Sequence, residues 1–393
     1  MEKVRYGIIG LGNQGSSYAI NIFEKGTKGK AEDAVLTAVC DSNPAKIESF
    51  KKKTTREDLV YFSDYKEMLD SGLCDAILVE TPHYQHPEIV IECLKRDIHV
   101  ICDKPAGVYT KQVKEMNEAA KNSKALFALM FNQRTNCVYR KMKEIIAEGG
   151  IGELQRVNWI ITDWFRTQQY YDSGSWRATW EGEGGGVLIN QCPHQIDLVQ
   201  WVVGEMPVSV YGFCQYGRWH DIEVEDEVTA FFKYKNGATG VFITTTGEAP
   251  GTNRLEISGT RGKLLSENGK TLTWYKNATD SQEHSKTSTE GFKKPEREVI
   301  EVETDGQNPQ HAGIINNFTA AILGREKLFV DGKDGINGVE LMNAIELSGW
   351  NNAEEIPLPI DEDRYLRELN AHRAVSKVKV VEEAEAANTA GTY

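Results

Sequence analysis

The sequence predicts an α/β domain on a doubly wound parallel sheet, followed by an α+β domain whose sheet is open, largely antiparallel and packed on helices. Three observations carry this. The first 130 residues alternate short aliphatic runs with helical patterns, the order of βαβ units. Beyond about residue 150 the runs become period-2 or aromatic-rich. Two Asn-Gly steps, Asn236-Gly237 and Asn268-Gly269, stand between such runs, which is the strongest short-range hairpin signal. The expected division is 1–130, 131–365 and a C-terminal tail 366–393 that from about Ala374 carries Lys and Glu around few large apolar residues.

In the first half, Val4 to Ile9, Val35 to Cys40, Ala76 to Val79, His99 to Cys102 and Leu126 to Met130 read as buried strands. An apolar helix is expected over Tyr18 to Phe23. Asn43-Pro44 opens the next, with proline where its missing N–H is harmless. Asp64 with Glu67 forms a candidate capping box, and His86-Pro87 starts a further helix through Ile89, Ile91 and Leu94. In the second half, strands are expected at Leu154 to Trp164, Val208 to Tyr216, Val228 to Tyr234, Ala238 to Thr245, Arg254 to Ser258 and Leu272 to Tyr275. Residues 310–323 and 338–352 return to helical spacing.

Composition narrows the function. The 45 Lys and Arg against 58 Asp and Glu leave a formal charge of −13, which offers no general attraction for nucleic acid. No apolar run approaches the roughly 20 residues of a membrane helix, and the chain opens on a strand pattern rather than a leader. Seven cysteines at irregular spacing fit neither a disulfide framework nor a CxxC zinc site, so a reducing cytoplasm is expected.

The chemistry starts at Gly10-Leu-Gly12-Asn13-Gln14-Gly15, a G-x-G-x-x-G run between the first strand and a helix. The first glycine permits the turn, the second lets backbone approach a pyrophosphate, and the third lets the helix pack close with its N-terminus toward the phosphates. Asp41, at the end of the second strand and 26 residues beyond Gly15, suits an adenosine ribose and disfavours a 2′-phosphate. NAD is therefore expected over NADP, with Ser42 and Lys46 nearby leaving NADP possible. Asp41 also suits a helix cap ahead of Pro44.

Three further segments follow in order: Thr81-Pro82-His83-Tyr84-Gln85-His86, Asp103-Lys104-Pro105, and Gly184-Gly185-Gly186 running through Asn190, Cys192 and His194 to Asp197. With the glycine run they resemble, over roughly residues 3 to 360, the Gfo/Idh/MocA family of glucose–fructose oxidoreductase, inositol dehydrogenase and rhizopine catabolism. The resemblance implies a Rossmann domain, an NAD(P)-dependent oxidoreductase acting on a sugar or cyclitol, and a homodimer or homotetramer. It places Thr81, Pro82, His83, His86, Asp103, Lys104, Asn132 and Arg134 near the cofactor, and Lys104 and His194 at the chemistry. Substrate contacts are implied around Trp176-Arg177, with Asp197, Asn190 and Tyr139 added and Trp164 and His311 behind them. The arginine–aromatic groups suit a polyhydroxylated ring and equally suit bracing the domain interface. Four positions depart from the family pattern: Asp103 stands for Glu, His83 for Asn, Asn190 for Asp and Cys192 for Gly. Without a carboxylate at Asn190 to relay charge, His194 is expected to have a lower pKa than in relatives.

The residues support the same pair independently. Lys104 ends a parallel strand, where open α/β sheets hold ligands, and an ammonium there stabilises a developing alkoxide. His194 opens a helix ending at Gly204 and suits a general base, with Asp197 and Trp201 sharing its face at i+3 and i+7. The expected reaction is hydride transfer between nicotinamide and a secondary alcohol of a sugar, glycoside or cyclitol. Two alternatives stay open: an NAD-dependent glycosidase working by transient ring oxidation and elimination, and a dinucleotide-binding regulator without turnover. No metal is expected; the segment from His220 to Asp226 reads as a solvated acidic loop, and neither Cys102 nor Cys192 has a base partner.

Overall fold

The computed structural model describes residues 3–377. Six strands, β1 (Val4–Ile9), β2 (Ala34–Cys40), β3 (Val60–Phe62), β4 (Ala76–Val79), β5 (His99–Cys102) and β6 (Phe127–Leu129), form one parallel sheet in the order β3-β2-β1-β4-β5-β6. The order reverses between β1 and β4, which opens a crevice at their carboxyl ends. Every residue of β4 is buried because helices cover both faces. β3 adds to the sequence reading; three residues at a half-exposed edge give no period to detect.

The other nine strands are β7 (Leu154–Ile161), β8 (Ser209–Tyr216), β9 (Glu225–Lys233), β10 (Thr239–Thr245), β11 (Asn253–Gly259), β12 (Gly262–Glu267), β13 (Thr271–Asn277), β14 (Arg297–Glu301) and β15 (Ile356–Pro357). They pair antiparallel except for β7 with β10. Alternate residues of β9 are buried, so one face carries the core and the other is open. Asn236-Gly237 joins β9 to β10 as expected. Asn268-Gly269 joins β12 to β13, both residues with φ near +60°. The sequence reading lacks β12, whose adjacent Leu264 and Leu265 break the alternation that marks a strand.

Helix caps follow the sequence. Asn43 caps Pro44–Lys51 through its side chain, and Asp64 accepts from the N–H groups of Lys66 and Glu67. The helix after the glycine run is short, Asn13–Ser17, and continues as a π-helix over Tyr18–Glu24.

Two helices bear on the expected division. Helix Gln310–Ile322 packs on the first sheet, with Tyr6 Oη and Thr319 Oγ1 2.8 Å apart and Asn316 donating to the Lys30 carbonyl, so the halves interleave. The expected tail begins inside helix Glu362–Ala374, which buries Tyr365 and Leu369 and ties Arg373 to Glu181 at 2.8 Å. The remainder of that tail, 378–393, lies outside the described residues. Among the described residues no helix is long and apolar enough to cross a membrane.

Candidate active site

A cavity of about 980 Å³ runs from the glycine loop to the helix Pro193–Val203. Gly10 has φ +102°, and a Cβ there would meet the Glu80 carbonyl oxygen at 2.5 Å, so no other residue fits. A Cβ on Gly15 would lie 1.9 Å from the Gly10 oxygen, the close helix approach that the third glycine allows. A Cβ on Gly12 would touch nothing within 4 Å. That open space faces the cavity, which Asn13 and Gln14 also line, and it fits the pyrophosphate of a dinucleotide.

Asp41 lines the cavity and accepts from the N–H groups of Leu11 at 2.8 Å and Asn43 at 2.9 Å. It therefore clamps the glycine loop to the next helix, with Lys46 Nζ 3.7 Å away. Ser42, Thr81, Pro82, His83, His86, Asp103 and Asn132 share the lining. The His86 ring bridges two loops, Nδ1 to the Pro105 carbonyl at 2.8 Å and Nε2 to that of Thr81 at 2.7 Å. Burial pulls the His86 imidazole down, and the two carbonyl acceptors oppose this. With both nitrogens engaged, its part is to hold together the chain just after Lys104 and the loop after β4.

Lys104 and His194 come from opposite halves and line the same cavity. Lys104 Nζ donates to the Asn190 carbonyl at 2.9 Å, which fixes the ammonium beside the second domain. His194 sits in the first turn of its helix, with Pro193 as an N-terminal residue and Gly204 as a left-handed C-cap. Its Nδ1 is buried without a partner. Burial first, then the charges of Lys104 and His311, push the His194 imidazole well below its ordinary value.

Trp176, Arg177 and Asn190 line the cavity, as do Trp164 and His311. The Arg177 guanidinium lies 4.6 Å over both the Trp176 and Tyr170 rings and donates to Tyr170 Oη at 2.8 Å. The Asn190 side-chain amide donates to Glu183, and its oxygen accepts from Tyr170 Oη at 3.4 Å. Glu183 also accepts from the Ala178 N–H, and burial, opposed chiefly by Arg177, raises its carboxyl. A carboxylate thus stands one hydrogen bond behind the position where Asn190 departs from the family pattern.

Three expected contacts lie elsewhere. Asp197 is fully buried and takes two hydrogen bonds from Arg134, at 2.6 and 2.7 Å, instead of facing the cavity. Arg134 also pairs with Asp334 at 2.9 Å and packs over Phe131 and Trp201, so it pins the His194 helix to the end of β6 and does not line the cavity. Tyr139 is buried against Trp159, 5.8 Å between ring centroids. Its helical spacing puts it on the core face, away from the cavity. Tyr170, Arg166 and Glu183 were missed by sequence reasoning. They lie between β7 and the His194 helix, where no period or motif marks them.

The acidic segment is a support. Asp226 accepts from the N–H groups of Arg218, Trp219 and His220 and from the His220 ring, whose other nitrogen meets the Arg166 carbonyl. Burial pushes the Cys192 thiol up to about 12 and the Cys102 thiol well above its ordinary value, so neither forms a thiolate.

Comparison with known proteins places this geometry. The profile described as "Oxidoreductase family, NAD-binding Rossmann fold" matches residues 4–131, and the GFO/IDH/MocA C-terminal domain matches residues 139–265. Myo-inositol 2-dehydrogenase of Thermotoga maritima is 26% identical over 277 residues, 69% of this chain and 77% of the relative. Inositol 2-dehydrogenase of Rhizobium meliloti is 24% identical over 345 residues, 87% of this chain and 95% of the relative. The WlbA dehydrogenase of Bordetella pertussis, solved with NADH and UDP-GlcNAcA, superposes with a TM-score of 0.74 at 26% identity, over 91% of this chain and all of that one. With both domains matched and the glycine loop shaped for the dinucleotide, the chain belongs to the Gfo/Idh/MocA family of NAD-binding oxidoreductases.

Proposed function

We propose that the protein is an NAD-dependent dehydrogenase acting on a secondary alcohol of a sugar, glycoside or cyclitol. The observation that carries this is the meeting of Lys104 and His194 at one cavity that continues to the glycine loop. The inositol dehydrogenases and the sugar-nucleotide complex among the relatives support the substrate class. Bound NAD supplies the acceptor for the hydride of the alcohol carbon.

The chain's own residues do the rest. Lys104, anchored through Asn190, donates to the alcohol oxygen and stabilises the alkoxide as the carbon is oxidised. His194, neutral because of its burial, has an uncharged nitrogen ready to take the hydroxyl proton. Arg177 and Trp176 present a cation and an apolar ring face to neighbouring hydroxyls and ring carbons. Asp41, already bound to two backbone N–H groups, stands at the adenosine end and favours NAD over NADP. The open face of the second sheet, with Phe213 61% exposed, supports a homo-oligomer.

The test is a turnover screen of purified protein with sugars, glycosides and cyclitols, following NADH and product separately with NAD and NADP. Net NADH formation on a polyol, faster with NAD, is the expected result. Product without net NADH would favour the glycosidase chemistry, and binding without turnover on any polyol would overturn the dehydrogenase reading.

A further inference from the structure

Glu80 has no part in the reaction above, yet it sits at the centre of the cleft. It follows β4, and the sheet order β1-β4-β5 puts it between the glycine loop and Lys104. Its backbone is fixed there, with its N–H donating to the Ile9 carbonyl at 2.8 Å. Both carboxyl oxygens are buried and have no hydrogen-bond partner, and neither do the neighbouring Thr81 Oγ1 and Tyr18 Oη. Unpartnered buried polar atoms are rare and costly in folded proteins, and here they gather along the route a dinucleotide must take.

The groups that face Glu80 are few. Tyr18 comes from the π-helix beyond the glycine loop, with the His311 ring 5.4 Å from it. Asp103 and Lys104 come from the end of β5. Burial and then Asp103 push the Glu80 carboxyl well above the usual range, and Lys104 opposes them. In the free protein the charged form of Glu80 is therefore disfavoured.

A dinucleotide with its pyrophosphate on the glycine loop and its nicotinamide toward Lys104 crosses the end of β4. The ring is a cation when oxidised and neutral when reduced. We propose that Glu80 senses this difference: it gives its proton to solvent when the oxidised cofactor binds and keeps it when the reduced cofactor binds, which favours the oxidised form. The inference rests on the dinucleotide reading of the cleft and adds a charge-selecting residue to it.

Calorimetric titration of the full chain with NAD+ and with NADH, each in two buffers of different ionisation enthalpy, tests this. Proton release is expected with NAD+ and not with NADH. Glu80→Gln should abolish the release and weaken NAD+ about tenfold, one pKa unit of coupling, while NADH stays within about threefold. Unchanged NADH binding also shows that the variant folds. Absence of proton release by the native protein overturns the inference without recourse to any variant. Equal weakening of both cofactor forms by Glu80→Gln overturns it as well, and in either case tight NADH binding leaves the dinucleotide reading standing. Failure of the native protein to bind either form would end both.

Discussion

The two walls of the cleft are built by different rules. The cofactor wall is made where strands end: the glycine loop after β1, Asp41 after β2, Thr81 and Pro82 after β4, Asp103 and Lys104 after β5. Its groups are short-range and largely backbone. The opposite wall is a side-chain network in which Tyr170, Arg177, Asn190 and Glu183 hold one another. On the proposed reading, the first wall holds the cofactor whatever the substrate, and the second selects the substrate. The comparison teaches that cofactor affinity and substrate turnover should separate under mutation.

The largest effects should come from one substitution on each wall. His194→Ala is expected to lower kcat by about 10³-fold, the scale of a lost general base, while NADH affinity stays within about threefold. Gly12→Val fills the open space over the loop and should weaken both cofactor forms by about 30-fold or more, with little change in melting temperature. Fluorescence titration with NADH and steady-state kinetics on the same preparations check both. The native acid limb of kcat/KM should lie below the ordinary imidazole value, because burial keeps His194 unprotonated as the pH falls. A His194 variant with normal turnover and poor NADH binding would collapse the distinction.

Next in size is the pin between the walls. Asp197→Ala leaves Arg134 buried with a full charge and only the half-exposed Asp334 as partner. Breaking such a pair costs about 3–5 kcal/mol, so urea denaturation should show a large loss of stability. Arg134→Met with Asp197→Leu, which removes both charges, should recover most of it. Recovery of stability without recovery of turnover would show that the pin also sets the position of His194.

This contrast explains what was legible in the sequence. The cofactor wall is read directly because each of its groups lies within a few residues of a strand end, and the strands announce themselves by aliphatic runs. The expected substrate contact at Asp197 lies elsewhere for a definite reason. Helical spacing places it on one face with His194 but says nothing of Arg134, 63 residues earlier, which arrives from the end of β6 to claim the carboxylate. Tyr170 lies in a five-residue helix too short to show a period, and Glu183 lies in irregular chain. β12 escaped because its adjacent buried Leu264 and Leu265 do not alternate.

A moderate effect tests whether the selecting wall acts as a network. Tyr170 Oη accepts from Arg177 and Gln191 and donates to Asn190. Tyr170→Phe keeps the ring under both Arg177 and Arg166 and removes only the hydroxyl. The loss of a hydrogen bond to a charged group is worth about 1.5–3 kcal/mol, so kcat/KM for the best substrate should fall about tenfold or more. NADH affinity should be unchanged. A rise in KM alone would mean that the hydroxyl binds substrate without shaping the transition state.

The smallest expected effect lies beneath the glycine run that carries the selecting wall. Glu225 accepts from the N–H groups of Gly186 and Leu188, and Glu346 accepts from Tyr365 Oη while its other oxygen has no partner. Both are fully buried, and a charge on Glu225 disfavours ionisation of Glu346. Burial first pushes the Glu225 carboxyl up to about 7, and the Glu346 carboxyl is also raised. The folded protein thus keeps a proton that the unfolded chain releases above its ordinary carboxyl value. The unfolded state binds fewer protons in that window, so the pair's contribution to stability falls as the pH rises from about 4.5 toward 7. Glu346→Gln removes the titrating carboxyl at that position and leaves Glu225 with its backbone donors. The difference in unfolding free energy between native and variant protein should shift in the variant's favour by on the order of 1–3 kcal/mol from pH 5 to pH 8. Urea melts at the two pH values read this difference directly. A difference independent of pH would mean that the two carboxyls share no proton, and that the glycine run is held by geometry alone.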